Sequence, residues 1–118
     1  MISGAHIVLY TNNPDADRAF FRDVLEFKSV DAGGGWLIFA LPPAEAAFHP
    51  SEENGVHELF FMCEDLHAEI ISLAKKNVMC SEIEDARWGS IVKMRLPGGS
   101  DIRLYQPKHP TALGKRLP

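Results

Sequence analysis

Two alternating stretches open two similar halves of the chain. In residues 6–11, His6, Val8 and Tyr10 share one side, and Ile7, Leu9 and Thr11 share the other. That is the period of a strand. In residues 57–63 the same reading puts His57, Leu59 and Phe61 on one face. Each stretch runs into a helix start. Asn13 precedes Pro14, with Asp15 and Asp17 in the first turn; Asp65 or Glu64 precedes Leu66. A capping side chain, an early proline and early acids all favour a helix N-terminus. The first helix carries an apolar stripe of Phe20, Phe21, Val24 and Leu25, with Ala16 beside it and Arg18, Arg22 and Asp23 on its solvated face. The second carries Leu66, Ile70, Ile71, Leu73 and Ala74, and ends at Lys75, Lys76 and Asn77.

Strand-like segments follow each helix. In the first half they are residues 27–30, 36–41 and 44–49, with Gly33-Gly34-Gly35 as a hairpin turn. No GK[ST] follows those glycines, so a phosphate loop is not indicated. In the second half they are residues 78–83, 91–96 and 101–106, with an acidic loop at 82–85 and a turn at 97–100. Each half therefore reads strand, helix, then about three strands. Trp36 answers Trp88, and Leu41-Pro42 answers Leu96-Pro97. The predicted fold class is α+β: two βαβββ modules forming one curved mixed sheet with a concave cleft for a small ligand. Module 1 spans about residues 4–50 and module 2 about residues 55–107. Residues 108–118 form a C-terminal tail, and all 118 residues make a single domain.

Composition narrows the function. Hydrophobic residues make up 46% of the chain, which excludes a disordered tail, and no run approaches the length of a membrane span. A net charge of −4 with dispersed basic residues argues against nucleic acid and against an anionic membrane surface. The first residues lack the features of a signal peptide. The two cysteines, Cys63 and Cys80, show no CxxC spacing, so the expectation is a reduced, cytoplasmic protein with Cys63 as a small apolar residue.

The candidate chemistry is of two kinds. Histidines at matched places in two modules, His6 and His57, invite a metal-site reading. Strands 91–96 and 101–106 supply the other kind. Ile102 and Leu104 read as helix-facing, which leaves Arg103 and Tyr105 toward the cleft. Lys93 and Arg95 alternate in the same way, either lining an anion-preferring cleft or lying on a solvated edge. Trp36 and Trp88 can stack on an aromatic ligand or serve in the core or a dimer interface. His67 and His109 read as surface residues.

The segments AHIVLYTNNPDADRAFFRDVLEF, GVHELFFMCEDLHAEI and WGSIVKMRLPGGSDIRLYQP resemble the vicinal oxygen chelate superfamily, the group of glyoxalases, bleomycin resistance proteins and extradiol dioxygenases. The resemblance implies a divalent ion (Zn, Ni, Mn or Fe) in the concave sheet, with His6 and His57 as ligands and His49 as the third. It also implies a homodimer acting on a small molecule, as a metal-dependent lyase or dioxygenase of the glyoxalase type. At the position of the family's C-terminal glutamate ligand this chain has Arg103, which cannot bind a metal. The alternative implied is a metal-free binding protein of the bleomycin-resistance type, for an antibiotic or an anionic ligand. A catalytically silent relative with a sensing role is a third. In either kind of site Arg103, Tyr105, Trp36 and Trp88 are the expected ligand-contacting residues.

Overall fold

The computed structural model describes residues 6–45 and 47–113. In chain order the elements are α1 (Pro14–Ala19), which runs on as a π-helical turn (Phe20–Val24), β1 (Ser29–Asp31), β2 (Leu37–Phe39), β3 (Phe60–Met62), α2 (Leu66–Lys75), β4 (Glu84–Ala86), β5 (Gly89–Arg95) and β6 (Asp101–Pro107). The class is α+β, as the pattern predicts.

The second module is a complete βαβββ unit. Its sheet has the order β3-β6-β5-β4. β3 lies parallel to β6, and the other neighbours are antiparallel. Asp65 caps α2, its carboxylate accepting from the Ala68 amide at 3.1 Å. The Leu66 amide donates to the Gln106 side chain at 2.9 Å, which ties the helix start to β6. Asn77 closes the helix with φ of 63°, the left-handed turn that asparagine tolerates.

The core lies between this sheet and the two helices. Val92, Met94, Leu96, Ile102 and Leu104 project from the sheet, and meet Leu66 and Leu73 of α2 and Phe20 and Phe21 of the first helix. Phe21 also stacks within 6.1 Å of Phe61, and Phe27 within 5.6 Å of it. The first helix thus packs over the second module's sheet. Two polar ties hold it there. The Gly98 amide donates to Asp17 at 2.7 Å, and Lys76 Nζ donates to the Val24 carbonyl and to Glu26, both at 2.9 Å.

The first module is the less regular half. β1 and β2 form a two-stranded hairpin closed by the glycine turn, where the Asp31 carboxylate accepts from the Gly33 and Gly35 amides. Residues 6–11, expected as a strand, are unpaired, and so are the described residues of 44–49. Ile7, Val8 and Leu9 are about half exposed, Tyr10 is 90% exposed and Phe48 98%. The alternation is real, but neither segment finds a pairing edge among the described residues. The radius of gyration, 15.3 Å, exceeds the about 13.5 Å of a compact chain this long.

Smaller differences have local causes. The expected strand 78–83 shrinks to a single bridge, Cys80 to Met94. The strand instead lies at Glu84–Ala86, where an acidic loop was expected, because Arg87-Trp88 makes a two-residue hairpin that pairs Ala86 with Gly89. Ile71 is 59% exposed, since Leu66, Ile70 and Leu73 suffice to cover the sheet. Arg18 lies over the Trp36 ring at 4.8 Å rather than standing in solvent.

A Cβ on Gly98 would meet the Asp17 carboxylate at 2.6 Å and the Thr11 hydroxyl closer still. Gly98→Ala is therefore expected to lower stability by about 1–3 kcal/mol by unseating the first helix, measured by urea denaturation. Asp65→Ala, which removes only a cap, is expected to cost about 1 kcal/mol.

Candidate functional site on the open sheet face

Because Val92, Met94, Ile102 and Leu104 face the helices, their neighbours face away. That open face carries Ile91, Lys93 and Arg95 from β5, and Asp101, Arg103 and Tyr105 from β6. Phe60 and Met62 of β3 join them, since Phe60 pairs with Arg103 and Met62 with Tyr105, whereas Phe61 packs against the core. Arg103 and Tyr105 thus lie on the face away from the helices, and Lys93 and Arg95 lie beside them on β5.

An aromatic cluster forms the floor. The rings of Phe60, Trp88 and Tyr105 meet edge to face, with centroids 5.2 to 5.9 Å apart. Such pairs contribute about 0.5–1.5 kcal/mol each beyond their buried area. Gly89 makes room for this packing: a Cβ there would stand 2.9 Å from the Tyr105 ring and 2.8 Å from the Gln106 carbonyl. Burial pushes the Tyr105 phenol up from its usual pKa, with Glu45 adding to the effect. His109 packs beside Tyr105, its Nε2 lying 3.4 Å from the phenol oxygen. Its Nδ1 is 2.8 Å from the Pro110 carbonyl. An Nδ1–H tautomer satisfies both contacts, donating to the carbonyl and accepting from the phenol. His109 is thus half-buried against the cluster, not a surface residue as expected.

Arg103 crosses the middle of the face. It donates to Glu58 at 3.0 Å and lies over the Phe60 ring at 5.7 Å. Glu58 therefore shares the face of Phe60, and it is the residue that sequence reasoning missed. Residues 59–63 are apolar on both sides, so alternation alone does not say which side meets the helices. The clue was Arg103 on a neighbouring strand, a cation that needs a partner.

The metal-ligand expectations fare differently. His6, His49 and His57 are all exposed. His49 Nδ1 lies 2.7 Å from the Pro50 carbonyl, a local contact. Among the described residues no group of three or more His, Cys, Asp or Glu side chains converges as a metal site. The set His6, His49 and His57 is thus not assembled within one chain, because the segments that carry the first two are unpaired. Residues at the centre of the face do not fit a divalent ion either: a guanidinium occupies the place, and the nearby carboxylate is already its partner. Trp88 belongs to the aromatic floor, whereas Trp36 packs under Arg18 in the first module.

Cys63 and Cys80 are half-buried at the edge of the core, and desolvation raises the Cys80 thiol pKa. A raised pKa leaves less thiolate at neutral pH, so neither geometry nor titration recommends Cys80 as a nucleophile.

A pocket of about 170 Å³ opens on this face beside the floor. Phe60, Trp88, Lys93, Arg103, Glu82 and Glu84 are among its lining residues.

No protein-family model matches the chain, and no curated protein matches it. Solved structures do. An antibiotic-binding protein of Streptomyces sp. CB03234, TnmS3, superposes with a TM-score of 0.63 at 20% identity, covering 92% of this chain and 100% of that one. A lactoylglutathione lyase of Agrobacterium tumefaciens gives 0.59 at 20% identity, covering 88% and 92%. A glyoxylase/bleomycin resistance protein/dioxygenase domain of Frankia sp. EAN1pec gives 0.58 at 16% identity, covering 94% and 96%. The chain has the fold of the glyoxalase/bleomycin resistance/dioxygenase proteins, the vicinal oxygen chelate fold that its sequence resembles.

Proposed function

We propose that this protein binds a small aromatic molecule on the open sheet face without using a metal ion. The observation that carries the reading is the Arg103–Glu58 ion pair at 3.0 Å, set over Phe60 at the centre of that face. Resemblance places the family's glutamate ligand at Arg103. Here a fixed cation stands there instead, and it would repel a divalent ion. The lyase and dioxygenase reactions that the resemblance implies both rest on a metal, which this arrangement disfavours. That an antibiotic-binding protein shares the fold is consistent with binding as the role.

The ion pair does little for stability. Both side chains are substantially exposed, 39% and 57%, and such pairs contribute about 0–1 kcal/mol. Its worth lies in holding a guanidinium plane ready beside three aromatic rings. Arg103 can then trade Glu58 for a ligand's anionic or hydrogen-bonding group.

We further infer that the whole chain acts as one domain of two modules, residues 4–50 and 55–107, and works as a homodimer. The support is the unpaired, exposed apolar segment Ile7-Val8-Leu9-Tyr10 together with Phe48. Backbone groups and apolar side chains of this kind gain from pairing with another edge. A second copy is the occupant that the resemblance points to.

Two outcomes are expected. In a Trp36→Phe background, fluorescence from Trp88 is quenched saturably by small aromatic ligands. Arg103→Met then weakens this binding about 10-fold, a change of about 1.4 kcal/mol, while the melting temperature stays nearly unchanged. Non-saturating quenching would contradict the binding role. In light scattering after size exclusion, the wild-type chain runs at twice its 13.1 kDa mass, and Val8→Asp runs as a monomer. A monomeric wild type would remove the dimer from the proposal.

A further inference from the structure

The edge of the second module's sheet contains a break in register. Cys80 bridges to Met94, and the Ser81 amide donates to the Lys93 carbonyl at 2.9 Å. Three residues on, Glu84 pairs with Ile91. Two residues, Glu82 and Ile83, thus stand opposite the single residue Val92. This is a β-bulge, and the Ser81 hydroxyl fills the gap by accepting from the Lys93 amide at 2.8 Å. A bulge turns side chains away from strict alternation. Without the extra residue Glu84 would fall on the helix side, opposite in face to Ser81; with it Glu84 pairs with Ile91 of the open face, and Glu82 and Glu84 both line the pocket that Phe60 and Trp88 line.

Toward the sheet centre the lining is basic. Lys93 and Arg103 are directly paired across β5 and β6, and both line the same pocket. Like charges directly opposite are destabilising in a sheet. Glu58 neutralises Arg103, but among the described residues no ion pair involves Lys93, Glu82 or Glu84. Charges of opposite sign therefore line one pocket, and among the described residues Lys93, Glu82 and Glu84 form no ion pair with one another. A space lined by acids at the sheet edge, by Lys93 and Arg103 on the inner strands, and by Phe60 and Trp88 has a defined complement.

Resting on the binding role above, we propose that the pocket takes a zwitterionic aromatic ligand. Its ammonium group faces Glu82 and Glu84, its carboxylate faces Lys93 and Arg103, and its ring lies on Phe60 and Trp88. Each end then meets a charge of opposite sign, and the two sets of charges reject molecules that carry only one.

The test uses three probes of one skeleton: L-phenylalanine with both charges, phenethylamine with the ammonium alone, and 3-phenylpropionate with the carboxylate alone. Binding is read by calorimetry and by Trp88 fluorescence in the Trp36→Phe background. L-Phenylalanine is expected to bind at least about 10-fold more tightly than either other probe. Lys93→Gln is expected to bring L-phenylalanine down to the level of phenethylamine. A double E82Q/E84Q variant is expected to bring it down to the level of 3-phenylpropionate. Equal binding of the three probes, or a preference for a singly charged one, overturns the zwitterion proposal and leaves the aromatic site standing. Failure of all three while uncharged aromatics still quench Trp88 overturns it equally. If no aromatic molecule quenches Trp88 saturably, the binding role itself falls.

Discussion

The two-sidedness of β6 is the constraint on which the rest depends. This central strand pairs on both edges, with β3 and with β5. Its alternate residues must therefore divide between two environments. Ile102 and Leu104 go under the helices with Val92, Met94 and Leu96. Arg103 and Tyr105 are thereby committed to the other face, together with Lys93 and Phe60 in register beside them. A one-residue slip would bury Arg103 and expose Leu104, which the burial of charge forbids. Folding of the core and composition of the candidate site are one decision.

That division also lets the open face vary without loss of fold. Both helices and the core lie on one side, so substitutions at Glu58, Lys93 and Arg103 leave the packing untouched. A guanidinium and a carboxylate on the open face satisfy each other. The Arg103–Glu58 pair is weak as a stabiliser, yet it sets the electrostatic sign of the centre of the face. Nearby, the bulge at Glu82 and Ile83 supplies the acidic counterpart to Lys93.

Much of the fold was legible because its signals were local. Asn13, Pro14 and Asp65 mark both helix starts, and the glycine run at 33–35 marks a hairpin. The sides of β5 and β6 were legible because polar and apolar residues alternate cleanly along them. β3 was not, because Phe60, Phe61, Met62 and Cys63 leave both faces apolar, and so Glu58 was missed. Residues 6–11 have a strand's alternation, but a strand also needs a neighbouring edge, and sequence periodicity says nothing of where that edge is. The expected His6, His49 and His57 set depended on that pairing. The bulge was hidden for a further reason. It arises from a register shift between the Cys80–Met94 bridge and β4, and no residue type signals it.

The central claim is that Arg103, held by Glu58, has taken the place of a metal on this face. Metal content of the untagged, dialysed protein, measured by plasma mass spectrometry before and after loading with Ni, Zn, Mn and Fe(II), tests it most directly. Far less than one ion per chain is expected under every loading. Retention of about one ion per chain, lost in His57→Ala, would contradict it and return the histidines to the role that their matched positions first suggested.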